Sequence, residues 1–287
     1  MQFIQPDTVD EVLAWQSRLG PNSKFMAGGQ SLLAMMRQKV IEPEAIISLK
    51  RVKELHRVTV REDGSLFIGS MLTHHEIATH PMIGRYAPLL ADTARKVASV
   101  QIRNLGTWGG NIAHGEPGAD PPAALMVSDA RVELTGSGGA VRLVAIHDFF
   151  LDYLTTDIQE GELITGFIIP PMPFGTLSAY DKYTLRDDGD LAVVGMAVRL
   201  QMTPSHQITD LRIALSGVSV VPIQIPGISK RVSGQILREP VIRDIADYVK
   251  NACDPLSDAE VSSDYRQWVI EALVKKQLLS FSLAQGL

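Results

Sequence analysis

Two glycine-rich segments are the stretches of the sequence best suited to bind an anion. The first is Ala-Gly-Gly-Gln-Ser at residues 27–31, and the second, residues 104–120, holds five glycines in seventeen residues. Glycine allows positive φ angles and lets other groups approach the backbone closely, and consecutive amides in such turns form a concave nest for a phosphate. We therefore predict that the two segments hold one diphosphate from two sides.

The residues around the first segment place it at the start of a helix. Residues 24–26 predict a strand, and the residues after the glycine turn predict a helix to about Lys39. The free amides and the dipole of a helix N-terminus both favour negative charge. With the strand predicted at residues 45–49, this segment forms a β–α–β unit. Neither glycine segment matches Gly-x-Gly-x-x-Gly or the Walker loop, so the common nucleotide-binding motifs are absent.

The second segment follows a predicted hairpin at residues 57–69, a capped helix after Thr73 and a helix over residues 86–100. Its glycine content predicts a loop without regular structure. A short helix from Pro121 and strands at 131–135, 141–145 and 163–169 complete this region.

Composition shifts divide the chain into three predicted domains, residues 1–55, 56–177 and 178–287. The proline-rich run at 170–173 marks the second boundary. Beyond it, alternating runs at 178–185, 191–202 and 208–215 predict an antiparallel sheet, followed by helices at 242–251 and 266–280. The predicted fold class is therefore α+β.

Composition also excludes several classes of function. The net charge of the 287 residues is -5 without a dense Lys/Arg block, so we expect no nucleic-acid partner. No stretch approaches the roughly 20 apolar residues that span a bilayer, and the first residues lack the features of a signal peptide. We expect a cytoplasmic protein.

The one cysteine, Cys253, limits the metal chemistry of the chain. A single thiol cannot form an internal disulfide, an iron–sulfur cluster or a cysteine-rich zinc site. The histidines near residue 75 and the pair His114 and Glu116 lack a pattern of further ligands. We predict no metal site in this chain.

Longer motifs carry a family resemblance. Residues 101–111, Gln-Ile-Arg-Asn-Leu-Gly-Thr-Trp-Gly-Gly-Asn, resemble the Q-I-R-x-x-G-T-I-G-G-N signature of the flavin-binding subunits of molybdenum hydroxylases, the xanthine dehydrogenase and aerobic carbon monoxide dehydrogenase family. Residues 27–33 match the family's A-G-G-x-S-L-L loop, and residues 115–123 resemble its G-D-P-x-x-D-x-P-A segment. The Y-x-K and D-x-A elements correspond to residues 180–182 and 190–192, so the resemblance runs in order along the whole chain.

This resemblance implies a non-covalent FAD site. Backbone amides around residues 27–31 and 107–111 would hold the pyrophosphate, with the Ser31 and Thr107 hydroxyls adding bonds. Asp120 would accept from ribose or ribityl hydroxyls, and Lys182 would lie near the isoalloxazine, where a cation stabilises reduced flavin. The implied cofactor-binding residues are Ala27, Gly28, Gly29, Gln30, Ser31, Leu32, Thr107, Trp108, Gly109, Gly110, Asn111, Asp120 and Lys182.

The resemblance also implies the architecture and the partners. The fold would be a two-part FAD-binding domain, with a small β–α–β part and a larger α+β part as in vanillyl-alcohol-oxidase-type flavoproteins, followed by a C-terminal antiparallel sheet and helices. Molybdopterin would reside on a large subunit and two [2Fe–2S] clusters on a small subunit, in a dimer of heterotrimers. Electrons would pass from those clusters through FAD to an external acceptor, and no residue of this chain would oxidise the substrate.

Two positions depart from the family pattern. Gln30 stands where carbon monoxide dehydrogenases have histidine, and Trp108 replaces the usual isoleucine. Both are compatible with flavin binding but argue against assuming carbon monoxide as the substrate. Two other hypotheses stay open at this point. One is a self-sufficient FAD oxidase, which would need an acid/base pair over the flavin, and the other is a non-catalytic nucleotide-binding protein.

Overall fold

The computed structural model describes residues 1–186 and 189–286. Its first region contains a three-stranded parallel sheet in the order β1-β3-β2. The elements are β1 (Gln2–Ile4), α1 (Val9–Leu19), β2 (Ser23–Met26), α2 (Leu32–Arg37) and β3 (Ala45–Ser48). All four residues of β3 are buried, as expected for the central strand of a covered parallel sheet.

The β–α–β unit predicted for this region is confirmed, with two differences. Strand β1 was not predicted, because three residues are too few to show an alternating pattern. Helix α2 ends at Arg37, short of Lys39, whose φ angle of 59° is left-handed and ends the turn. Helix α1 begins after Thr8, whose hydroxyl accepts from the Glu11 amide.

The second region is built on a five-stranded antiparallel sheet in the order β4-β5-β10-β6-β7, with helices before and between its strands. The elements are β4 (Val58–Val60), β5 (Leu66–Gly69), α3 (His74–Thr79), α4 (Pro81–Tyr86), α5 (Pro88–Lys96), α6 (Val100–Leu105), α7 (Trp108–His114), α8 (Asp120–Val127), β6 (Arg131–Gly136), β7 (Val141–Ala145), α9 (Ile146–Phe149), β8 (Phe150–Asp152), β9 (Thr155–Thr156) and β10 (Glu162–Ile169). The predicted hairpin β4–β5 and the capping box at Thr73 are confirmed.

Two predictions for this region were wrong. The single helix predicted over residues 86–100 is interrupted, because Pro88 starts α5 and Ala98, with φ 38°, separates α5 from α6. The second glycine segment is not a loop throughout, because its middle forms helix α7. The Thr107 side chain caps this helix and offsets the low helix propensity of its two glycines.

The third region is the predicted antiparallel sheet, in the order β11-β12-β13-β14, with helices beside it. The elements are β11 (Leu177–Tyr183), β12 (Val194–Met202), β13 (Ile208–Ser216), β14 (Ile223–Gln224), α10 (Ile228–Val232), α11 (Glu239–Asn251) and α12 (Ser263–Ala284). The three larger sheets correspond to the three predicted domains, although β11 begins one residue before the predicted boundary and β8 and β9 form a further two-stranded sheet in the second region. The domain boundaries themselves stay a prediction, and Leu287 lies outside the described residues.

Helix α8 joins the second and third regions. Every one of its residues is buried, so it is enclosed on all sides, and it packs against α5, β12 and β13. One hydrophobic core accordingly continues from the second region to Tyr180, Ala197 and Ala214 of the third. Asp129, just after α8, adds ion pairs to Arg199 and Arg212. Within the described ranges, no helix has both the length and the apolar character needed to cross a membrane.

Candidate functional site

The two glycine segments are in direct contact. A Cβ on Gly28 would lie 2.0 Å from the carbonyl oxygen of Leu105 and 2.9 Å from Cα of Gly106. A Cβ on Gly110 would lie 3.4 Å from Cβ of Ala27. Glycine is required at residue 28 because any side chain there would push the segments apart. The two segments therefore meet, and their joint hold on a diphosphate stays a prediction.

The first segment presents free backbone donors. In the part of the chain that the structure describes, the amides of residues 28–32 donate to no protein acceptor. Gly29 has a φ of 72°, and Gln30 folds back so that its Nε2 donates to the Gly28 carbonyl at 3.0 Å. The Ser31 side chain makes no cap at the start of α2, and Leu32 is the first residue of that helix. This arrangement is a nest of amides at a helix start, as an anion requires.

Most amides of the second segment that were predicted to hold the phosphate are bonded within the protein. The Trp108 amide donates to Leu72 at 3.0 Å, the Gly109 amide to Ser70 at 2.8 Å, and the Asn111 amide to Thr107 at 2.9 Å. The Gly110 amide donates to the Thr107 hydroxyl at 3.1 Å. The predicted role of these four amides as phosphate donors is therefore corrected, because forming and capping α7 uses them, whereas the Thr107 amide donates to no acceptor among the described residues.

Trp108 has a packing role in the structure. Its side chain is fully buried and meets Phe167 edge to face, with ring centroids 6.5 Å apart. A Cβ on the next residue, Gly109, would lie 2.6 Å from the backbone oxygen of Ser70. Helix α7 therefore sits tightly on the end of β5, with Trp108 inserted into the core beneath it.

Several buried polar atoms around α7 lack partners among the described residues. These are Ser70 Oγ, His74 Nδ1, Trp108 Nε1 and Asn111 Oδ1. Buried polar atoms in native proteins are nearly always hydrogen-bonded, so a group of unbonded atoms suggests bound water or a ligand. Asn111 is half-buried as a residue, but its Oδ1, like the other three atoms, is enclosed by the protein. The polar atoms around α7 are therefore not fully bonded within the described residues.

His74 packs against Gly106 in the second segment. Its backbone amide donates to the Gly106 carbonyl at 3.0 Å, and a Cβ on Gly106 would lie 3.1 Å from the imidazole ring. The side chain is 2% exposed. Burial, together with the positive charge of Arg103, lowers the pKa of His74 to about 4. The imidazole is therefore neutral at physiological pH.

Asp120, the first residue of α8, is only 4% exposed, which is unusual for a carboxylate. Both of its oxygens are occupied, because the Tyr180 hydroxyl donates to Oδ1 at 2.5 Å and Lys182 Nζ donates to Oδ2 at 3.0 Å. Residues two apart on a strand share a face, so β11 aims both donors at the same carboxylate. The prediction that Asp120 accepts from ribose or ribityl hydroxyls is thus not supported by its contacts.

Burial has the largest effect on the pKa of Asp120. It raises this pKa, while the Lys182 ammonium and the Tyr180 hydroxyl oppose the rise. Burial and the neighbouring carboxylate raise the pKa of Tyr180 well above its ordinary value, so the phenol stays protonated. The Lys182 ammonium, largely buried, also donates to the Asp190 carbonyl at 3.3 Å.

Two further residues contact Tyr180, and neither was predicted from the sequence. Lys96 on α5 donates to the Tyr180 carbonyl, and its Nζ lies 6.0 Å from the centre of the Tyr180 ring. Gly195, paired with Lys182 in the sheet, leaves room for the phenol, because a Cβ there would lie 2.5 Å from the Tyr180 hydroxyl. Their roles depend on contacts between distant segments, which no local pattern shows.

The remaining candidates are structural. Cys253 is buried, and burial raises the pKa of its thiol to about 12, so the thiol stays protonated and unreactive. Residues 1–186 and 189–286 contain no cluster of histidine, cysteine, aspartate and glutamate that could hold a metal ion.

Two family models together match nearly the whole chain. Residues 1–172 match the FAD binding domain in molybdopterin dehydrogenase, and residues 178–281 match the CO dehydrogenase flavoprotein C-terminal domain. The chain belongs to the family of FAD-binding medium subunits of molybdenum hydroxylases. The predicted family, fold class and FAD cofactor are therefore confirmed.

Individual relatives span nearly the whole chain. The carbon monoxide dehydrogenase medium chain of Hydrogenophaga pseudoflava is 34% identical over 96% of this chain and 95% of its own length. The glyceraldehyde dehydrogenase medium chain of Sulfolobus acidocaldarius is 31% identical, with the same coverage of both chains.

Solved structures agree with these relatives. Carbon monoxide dehydrogenase from Hydrogenophaga pseudoflava has a TM-score of 0.93 at 30% identity, covering 99% of this chain and 98% of its own. Quinoline 2-oxidoreductase from Pseudomonas putida 86 has a TM-score of 0.92 at 28% identity with the same coverage.

Proposed function

We propose that this chain holds FAD non-covalently and passes electrons from [2Fe–2S] clusters on a small subunit to an external acceptor. The substrate would be oxidised at molybdopterin on a large subunit, within a dimer of heterotrimers in the cytoplasm. The observation that carries this proposal is the run of free amides at residues 28–32, at the point where the two glycine segments meet. That arrangement suits a diphosphate.

We assign three different roles to the residues of the site. Amides of residues 28–32 would bind the diphosphate, with the Ser31 hydroxyl beside them. The second segment would form the facing wall, where the Thr107 amide has no acceptor among the described residues and can donate a hydrogen bond. Lys182 would stand at the isoalloxazine, since two of the three N–H groups of its ammonium are used by Asp120 and Asp190 and one remains. Bound FAD supplies an acceptor that takes two electrons and releases them singly or together.

The composition of the chain supports the division of labour between subunits. A [2Fe–2S] cluster is held by several cysteine or histidine ligands, and this chain has one cysteine, buried in the third region. The relatives named above belong to enzymes named for carbon monoxide, glyceraldehyde and quinoline, and the structures of the first and the last share this fold. We infer that the chain does not select the substrate.

A titration of the purified chain with FAD and FMN tests the cofactor site. FMN should bind more weakly, because it offers one phosphate to a site with donors for two. Gly28→Ala should weaken FAD binding by about tenfold or more, the equivalent of about 1.4 kcal/mol, because its Cβ collides with the Leu105 carbonyl. Gly84→Ala is the matched control, since a Cβ there meets nothing within 4 Å. Equal affinity for the two flavins would contradict the proposal.

A second experiment tests the assignment of partners. Purification of the tagged chain from its native source should bring down iron and molybdenum in a constant ratio to FAD. The chain alone should oxidise no substrate, although dithionite should reduce its flavin. Turnover of a small molecule by the chain alone would favour the self-sufficient oxidase.

A further inference from the structure

Asp120 and Lys182 form a buried ion pair between two regions of the protein. The carboxylate belongs to α8, and the ammonium to β11 of the C-terminal sheet. The side chains are 5% and 13% exposed, so little solvent screens their charges. The two charges therefore act on their surroundings together, and any effect of Lys182 on a neighbouring group includes Asp120.

The geometry of the carboxylate is fixed from several sides. The Tyr180 hydroxyl occupies the oxygen that Lys182 does not reach. The Tyr180 backbone is held by Lys96, and its phenol fits over Gly195. A phenol that donates to a carboxylate disperses part of the negative charge and prevents the carboxylate from turning. Tyr180 therefore determines where the negative end of the ion pair lies.

We propose that Asp120 acts on the flavin through Lys182, as its fixed counter-ion, and that Tyr180 is the positioning residue that holds this carboxylate. The inference rests on the proposed function, in which Lys182 stands beside the isoalloxazine. The flavin then lies beside an ion pair without net charge, and the positive member, Lys182, is the nearer of the two residues. Asp120 does not serve as a ligand of the ribose or ribityl hydroxyls.

Flavin midpoint potentials of the FAD-loaded full chain test this inference. Asp120→Asn should raise the potential, because it removes the negative charge that offsets Lys182. In a Lys182→Met background the same change should have a smaller effect, because Asp120 then has no ammonium through which to act and burial favours its neutral form. The dissociation constant of FAD should not change in either background.

Tyr180→Phe gives an independent measurement that keeps the aromatic ring. It should shift the potential in the wild type and have no effect in the Asp120→Asn background, because its hydroxyl acts through that carboxylate. Tyr183→Phe, which removes a hydroxyl bonded to Tyr265, is the matched control for the phenol. Asp244→Asn, in an exposed pair with Arg231, is the control for the change in net charge. Neither control should shift the potential.

The opposite results would overturn the inference. Loss of FAD affinity on Asp120→Asn in both backgrounds, at an unchanged potential, would return Asp120 to a role as hydroxyl ligand. A Tyr180→Phe effect that persists without the carboxylate would make Tyr180 a packing residue only. Failure of the wild-type chain to bind FAD would instead refute the proposed function, so the two failures can be told apart.

Discussion

The amide of Gly109 donates to the carbonyl of Ser70 at 2.8 Å, so the first turn of α7 is fastened to the residue that follows β5. A Cβ on Gly109 would lie 2.6 Å from both the oxygen and the Cβ of Ser70. The space beside this glycine is therefore filled by the protein itself.

Gly109→Ala should consequently reduce the stability of the whole chain. Overpacking against a backbone atom costs about 1–3 kcal/mol, and the Ser70 carbonyl cannot move without breaking its bond to α7. Urea unfolding of the flavin-free protein measures the loss, with Gly84→Ala as the control. A variant that keeps wild-type stability but fails to bind flavin would show that this glycine faces the cofactor instead.

Gly29→Ala should behave differently, with a larger effect on flavin binding than on folding. Its φ of 72° costs an L-residue about 1–2 kcal/mol. If the backbone relaxes to relieve that strain, the amides of residues 28–32 no longer point toward the same diphosphate position. Isothermal titration with FAD, combined with unfolding of the free protein, separates the two effects. Unchanged affinity would mean that the turn can vary without disturbing the site.

The stability of the protein should depend on His74 in mildly acidic solution. The folded-state pKa of about 4 lies below the ordinary value of 6.5, so the unfolded chain binds the proton more tightly. The contribution is fully present above pH 6.5 and is lost as the pH falls toward 4, by up to about 3 kcal/mol. His74→Phe should make the free energy of unfolding depend less on pH over this range. His75→Phe, which changes an exposed neighbour, should leave the pH dependence as it is in the wild type. Parallel curves for all three proteins would contradict the prediction.

Lys182→Met should destabilise the flavin-free chain by about 3–5 kcal/mol, because it leaves the buried Asp120 carboxylate without a partner. Asp120→Asn combined with Lys182→Met should recover part of this loss. The cost of the single change should also shrink as the pH falls, because burial raises the pKa of Asp120 and protonation removes the unpaired charge. Additive losses across the mutant cycle would show that the two residues act independently.

The parts of the fold that depend on local pattern could be predicted from the sequence. The β4–β5 hairpin and the Thr73 capping box follow from turn and cap residues, and each is present. The glycines of the second segment predicted a loop, but Thr107 and the contact with Ser70 stabilise a helix there. That stabilisation comes from tertiary contacts, which outweigh intrinsic propensity.

The site was predicted in part for the same reason. The contact between the two glycine segments follows from their shared chemistry. Which amides of the second segment are free could not be predicted, because Leu72 and Ser70 supply acceptors from another part of the chain. The role of Asp120 was missed because its partners, Tyr180 and Lys182, lie 60 and 62 residues away along the chain.

The burial of α8 makes the two halves of the molecule depend on each other for folding. Cleavage in the exposed proline run at 170–173 would leave the first fragment with an apolar helix and a carboxylate in water, and the second with an uncovered sheet. The C-terminal sheet would keep the core that it shares with α10, α11 and α12, but neither fragment could cover the surfaces that α8 and the sheet present to each other. The two fragments would therefore have to associate before either became native. The chain should therefore unfold in one cooperative transition, and the site would be lost together with the C-terminal sheet.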